Sequence, residues 1–102
     1  ELGVGGELSP VELLGAAHSA CYSMALSHAL SGAGHAPESL QVTAAVTFQP
    51  GEGITGSHLL VSAKVPGLTA EQFQEFAEGA KTGCPVSKAL AGIPITLEAT
   101  LA

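Results

Sequence analysis

Between Glu12 and Glu38 the chain carries no formally charged side chain. A stretch that long can span a bilayer as one helix, so it must face either lipid or protein. His18, Ser19, Ser23, Ser27 and His28 are spread along it, and Gly32, Gly34 and His35 end it. That polar content suits a helix enclosed by protein, because in hydrocarbon every such group needs a partner. The helix start is well marked. Ser9 is a good N-cap, Pro10 suits the first helical position and Glu12 closes a capping box. Small and apolar residues fall on every side of the segment, which predicts a helix from Pro10 to about Leu30, buried all round. The glycines of Ser31-Gly32-Ala33-Gly34 stop it.

Everything else must pack on that helix. Val42, Ala44, Val46 and Phe48 alternate with Thr43, Ala45 and Thr47, which predicts a strand over Gln41–Phe48. Leu59, Val61, Ala63 and Val65 share one face of a second strand, His58–Val65, and Pro50-Gly51-Glu52-Gly53 reads as the hairpin loop between the two. Thr69-Ala70-Glu71-Gln72 is a second capping box. Phe73, Phe76, Ala77 and Ala80 follow it at helical spacing, with Glu71, Glu75 and Glu78 on the wet side and Gly83 at the end. Cys84-Pro85 opens a short helix running to about Leu90, and Ile93–Leu101 alternates as a last strand whose Pro94 places its start at an edge or a bulge. Helix, strand, strand, helix, short helix, strand is an α+β order. Residues 1–102 are expected to form a single domain, with residues 1–8 a Gly-rich irregular tail. Gly5-Gly6 there lacks the preceding strand and following Lys-Ser/Thr of a phosphate loop.

Charge narrows the function. The chain has 3 Lys, no Arg and 9 Glu, a formal charge of −6. Phosphate neutralisation drives nucleic-acid affinity, so no nucleic-acid partner is expected, and no anionic membrane surface either. A chain 46% hydrophobic and 12% charged does not stay disordered. Its mean hydropathy of +0.39 is high for so short a domain, which implies that a second copy or further chain covers some apolar surface. Two cysteines are too few for a disulfide-dense secreted scaffold, and no basic-then-apolar signal segment is visible, so the expected location is the cytoplasm.

The chemistry points to those two cysteines. Cys21 falls mid-helix, and its neighbours at helical spacing are Leu14, Ala17, His18, Met24, Ala25 and His28. A protonated histidine beside a thiol favours the nucleophilic thiolate, although a buried cysteine next to a satisfied histidine is also an ordinary core feature. Cys84 sits at a helix N-terminus with Lys88 one turn on, and both the dipole and the cation would stabilise a thiolate there. The alternative is a small residue that fills space beside a cap. As a pair, the two suggest one thiol that oxidises and a second that resolves it. A zinc site from His18, Cys21, His28 and Cys84 is a rival use of the same atoms, but no CxxC or HxxxH spacing supports it, and no metal is expected. His35 in a loop, His58 on an outer strand face and the glutamates look structural.

The stretches Ser9-Pro10-Val11-Glu12-Leu13-Leu14-Gly15-Ala16-Ala17-His18-Ser19-Ala20-Cys21-Tyr22-Ser23-Met24-Ala25-Leu26-Ser27 and Ala80-Lys81-Thr82-Gly83-Cys84-Pro85-Val86-Ser87-Lys88-Ala89-Leu90 resemble the OsmC/Ohr family of thiol-dependent hydroperoxide reductases. Val65-Pro66-Gly67 and the element order fit as well, so the resemblance covers nearly the whole chain. His18 and Val86 look more like the OsmC branch. The resemblance implies an α+β fold with a long buried helix carrying Cys21 and antiparallel strands packed on two helices. It also implies a peroxidase without a bound cofactor. Cys21 would attack the O–O bond of an organic hydroperoxide, Cys84 would resolve the sulfenic acid, and a dithiol such as lipoamide, or another thiol, would restore the pair. The same resemblance implies a homodimer, and a small apolar pocket beside Cys21 would suit an alkyl peroxide.

Two departures stand against the pattern. The family pairs its peroxidatic sulfur with an Arg from an N-terminal strand, and orients that Arg with a Glu directly after the helix-start proline. This chain has no Arg, and Val11 stands where the Glu belongs. It starts where the N-terminal strands of the family have ended, so those strands are expected to be absent. His18 is the candidate to support the thiolate in their place. The alternative function is a non-catalytic relative that keeps the fold and binds a small apolar ligand or a partner. Redox sensing without turnover is a third reading.

Overall fold

The computed structural model describes residues 9–102, so the expected tail over residues 1–8 and Gly5-Gly6 lie outside the described residues. Helix α1 spans Pro10–Gly32. Its start is the capping box read from sequence: the Ser9 N–H donates to Glu12 Oε1 at 2.9 Å, and the Glu12 N–H donates to Ser9 Oγ at 3.1 Å. One stripe of the helix is buried: Gly15, His18, Tyr22, Leu26 and Leu30. The expectation of burial on all sides is therefore corrected. A three-stranded sheet covers one flank of a helix, and Met24, at 72% exposure, lies on the uncovered side.

Strands β1 (Ser39–Gln49) and β2 (Gly53–Lys64) form the expected hairpin, antiparallel, with Gly51 and Gly53 at positive φ where the chain reverses. Both strands run longer than the alternation indicated, and His58 sits mid-strand rather than at a strand start. The register slips between Thr47 and Phe48, leaving Thr55 as the extra residue of a bulge. Phe48 is consequently 55% exposed, not on the inner face with Val42, Ala44 and Val46. The inner face of β2 is as expected, with Leu59, Val61 and Ala63 buried, and Val65 just beyond it.

Helix α2 (Ala70–Gly83) begins at the Thr69–Gln72 capping box, and Cys84 separates it from the short helix α3 (Pro85–Ala89). Strand β3 (Ile95–Leu101) then pairs with β2 in the sheet order β1-β2-β3. It runs parallel to β2, so the sheet is mixed and the antiparallel expectation holds for β1–β2 alone. The reason is the connection. Two helices intervene between β2 and β3, a crossover that returns the chain in the same direction, as a tight turn cannot.

Packing fixes where the functional side chains lie. Helix α1 crosses β1 so closely that a Cβ on Gly15 would stand 2.9 Å from the Ala44 carbonyl oxygen. Helix α2 lies on the other flank, where the Tyr22 hydroxyl donates to the Ala77 carbonyl at 2.9 Å. Tyr22, Leu26, Leu59, Val61 and Phe73 form the centre of the core, and Cys84 belongs to the same cluster, with Cys21 packed against its edge. Among the described residues no helix is long and apolar enough to cross a membrane.

Candidate active site

Cys21 and Cys84 are 63 positions apart in sequence, yet the fold brings them to one place: Cys84 belongs to the core cluster, Cys21 packs against it, and each thiol shifts the other's titration. Helix α1 supplies the first, and the α2–α3 junction supplies the second. Pro85 stops α2 from continuing and starts α3 one residue later. That break leaves Cys84 as the cap of α3, with its side chain wholly buried in the core. Both cysteines are free thiols, Cys21 half-buried and Cys84 wholly buried.

The pair is electrostatically uneven. The Cys21 thiol is raised above its ordinary range, first by its hydrogen bond with Cys84 and then by burial, while the Val86 N–H pulls the other way. At Cys84, burial pushes upward, but hydrogen bonds from Cys21, from the N–H and hydroxyl of Ser87 and from the Val86 N–H outweigh it, and the pKa ends below the ordinary thiol range. Ionisation is thus favoured at the residue expected to resolve over the one expected to attack. The cation expected to help, Lys88, is exposed and has no part in this.

His18 is not beside the Cys21 sulfur as a cation. It is wholly buried on the Gly15–Tyr22–Leu26 stripe, and burial holds its pKa below the ordinary value. Its Nδ1 bonds Ser57 Oγ at 2.7 Å and its Nε2 bonds Ser87 Oγ at 2.8 Å. Both ring nitrogens are therefore taken, which leaves no lone pair for the zinc arrangement with Cys21, His28 and Cys84. His28 lies elsewhere, with Glu75 in a cleft of about 450 Å³ whose apolar lining includes Ala25, Phe76, Gly79 and Ala80. This cleft is one turn from Cys21 and one turn from Cys84, but neither cysteine lines it. The expectation of an apolar pocket directly beside Cys21 is corrected to that extent.

The sequence matches the family model described as OsmC-like protein across residues 3–98. The chain belongs to the OsmC family. It is 46% identical over 85 residues to peroxiredoxin OsmC of Escherichia coli, a match that takes in 80% of this chain and 59% of that protein. The chain thus spans about three fifths of the length of the curated relatives it matches. Among solved structures, an organic hydroperoxide resistance protein from Elizabethkingia anophelis superposes with a TM-score of 0.67 at 30% identity, covering 93% of this chain and 68% of that one. An OsmC-like protein from Mycoplasma pneumoniae superposes with a TM-score of 0.78 at 18% identity, covering 100% of this chain and 77% of that one, a likeness of fold. The family resemblance read from the two cysteine stretches is borne out, as is the α+β class.

Ser57 and Ser87 are the site residues that sequence reasoning passed over in this OsmC-family chain. A signal for each existed. Ser57 stands on the same strand face as Leu59, Val61 and Ala63, and a polar residue on an apolar face needs a buried partner. Ser87 lies three residues after Cys84, within the first turn that a helix-terminal thiol faces.

Proposed function

We propose that this chain, as a single OsmC-like domain over residues 1–102, is a thiol-dependent peroxidase that reduces organic hydroperoxides to alcohols. Cys21 and Cys84 are its redox pair. The observation that carries the reading is that the fold brings the two free thiols together, Cys21 half-buried and Cys84 wholly buried. The Cys84 thiolate accepts the Cys21 proton as the Cys21 sulfur attacks the O–O bond. The bond breaks, the Cys21 sulfur becomes a sulfenic acid, and the departing alkoxide takes the proton from Cys84. The Cys84 thiolate, restored, then attacks the sulfenic sulfur. A disulfide forms, and hydroxide leaves and is protonated to water.

An external dithiol of the lipoamide type returns the pair to the reduced state, and the protein carries no cofactor of its own. Met24, Leu13 and Leu60 are exposed apolar residues, consistent with a homodimer that covers them. The working compartment is the cytoplasm. The test is peroxide consumption with cumene hydroperoxide and dihydrolipoamide, for the wild type and for Cys21→Ser. Turnover that survives the substitution would refute the assignment.

A second reading has its own support. The chain has no Arg, Val11 replaces the family Glu, and ionisation is favoured at Cys84 over Cys21. A non-catalytic relative that binds a small apolar ligand or a partner would show no consumption in the wild type. Oxidation of Cys21 without recycling by dithiols would instead indicate a sensor.

A further inference from the structure

Lys64, Lys81 and Lys88 are the only lysines or arginines in a chain of formal charge −6, and two of the three meet at one place. The end of α2, helix α3 and the start of β3 enclose a hollow of about 240 Å³, lined by Lys81, Thr82, Ser87, Lys88, Ala91 and Ile95. No peroxide step above uses it. Its surface is almost wholly apolar, so the lysines line it with their methylene stems and keep their ammonium groups at the mouth. The Lys81 side chain is only 24% exposed, yet its Nζ reaches Oε1 of the exposed Glu78 at 3.2 Å. Lys88 is exposed and has no ion-pair partner among the described residues. Both hydroxyls of the lining are already engaged. Thr82 donates back to its own helix, to the Glu78 and Gly79 carbonyls at 3.3 and 3.2 Å, and Ser87 Oγ is bonded to His18 Nε2 at 2.8 Å. Polar recognition is therefore left to the two ammonium groups.

We propose that this hollow binds a short-chain monocarboxylate, with its alkyl chain against Ala91, Ile95 and the lysine stems and its carboxylate taken by the ammonium groups of Lys81 and Lys88. The ligand class follows from complementarity. Sugars, polyols and nucleotides would bury hydroxyl and amide groups with nothing to bond them. A cationic mouth in an otherwise acidic chain favours an anion over an alcohol or an amine. An inorganic anion would meet the ammonium groups but leave the apolar walls uncovered. The volume of about 240 Å³ falls below the roughly 300–1,000 Å³ of sites for drug-sized ligands, which keeps the alkyl chain short. Glu78 already holds Lys81, but an exposed pair at this helical spacing is weak, so a ligand carboxylate can displace it. The site involves neither cysteine and stands whether or not the chain turns over hydroperoxides.

The test titrates hexanoate into the isotope-labelled full chain and follows backbone amide chemical shifts at neutral pH. Amides of Lys81, Thr82, Ser87, Lys88, Ala91 and Ile95 are expected to move together on one saturating curve. Lys88→Gln and Lys81→Gln are each expected to weaken binding roughly fivefold, the upper end for an exposed ion pair. Glu78→Gln, which removes the competing carboxylate, is expected to tighten it about twofold. Hexan-1-ol and inorganic phosphate, which each match only half of the site, are expected to give no saturating curve there. Ala91→Leu, a change at an exposed position, is expected to fill the hollow and abolish the response to hexanoate. No saturation with hexanoate, or shifts confined to other residues, overturns the proposal. So does equal binding of hexan-1-ol, or an affinity unchanged in both lysine variants. Should a lysine variant not fold, the alcohol comparison and Ala91→Leu decide the matter.

Discussion

Replacing His18 with Gln should change how stability depends on pH, not merely how large it is. The imidazole has no exposed surface, and each nitrogen is held by a serine hydroxyl, at 2.7 and 2.8 Å. Burial keeps it neutral by lowering its pKa from the ordinary 6.5. Above that value the folded and unfolded chains both hold a neutral imidazole, and His18 adds no slope. Below it, the unfolded chain binds a proton that the fold refuses, so stability falls as pH falls, down to the folded pKa. One proton corresponds to a limiting slope of about 1.4 kcal/mol per pH unit. Integrated from about pH 7.5 to about pH 5.5, the loss reaches ~1.4 kcal/mol if the folded ring stays neutral throughout. Urea midpoints of wild type and His18→Gln over that range measure it. Gln loses hydrogen-bond geometry at every pH but has no proton to refuse, so its deficit at the upper end should shrink toward the lower end. A deficit that is constant with pH would refute the buried neutral imidazole.

Other perturbations have distinct signatures. Gly15→Ala places a Cβ 2.9 Å from the Ala44 carbonyl oxygen, so α1 must move off β1. A cost of about 1–3 kcal/mol in urea unfolding is expected, despite alanine's better helix propensity. Tyr22→Phe removes a buried hydroxyl that donates to the Ala77 carbonyl at 2.9 Å, and should cost about 1 kcal/mol by the same assay. Cys21→Ala removes a hydrogen bond that favours the Cys84 thiolate, so ultraviolet titration should find that thiolate forming at higher pH than the first ionisation of the wild type. An unchanged or earlier titration would contradict the assigned donor.

Much of the scaffold was legible because local chemistry dictated it. Ser9–Glu12 and Thr69–Gln72 are self-contained capping signals, and the period-two inner face of β2 needs no knowledge of its partners. What escaped depended on distant pairing. The extra residue Thr55 takes Phe48 out of the inner set, and alternation within β1 carries no trace of it. The direction of β3 is set by the crossover, not by its own residues. The site divided in the same way. Both cysteines stood out by type and setting. His18 was grouped with Cys21 because they lie three residues apart, but that spacing leaves an angular offset of about 60° around the helix. The offset is enough to send His18 inward to two serines while Cys21 stays at the edge of the core.

Peptide mapping under non-reducing conditions, after one equivalent of cumene hydroperoxide is added to the fully reduced chain, addresses the redox pair most directly. The account predicts one cross-linked species joining the Cys21 and Cys84 peptides, with both free thiols lost together. A Cys21 that is unmodified, or carried to sulfinic acid while Cys84 remains a free thiol, would contradict it.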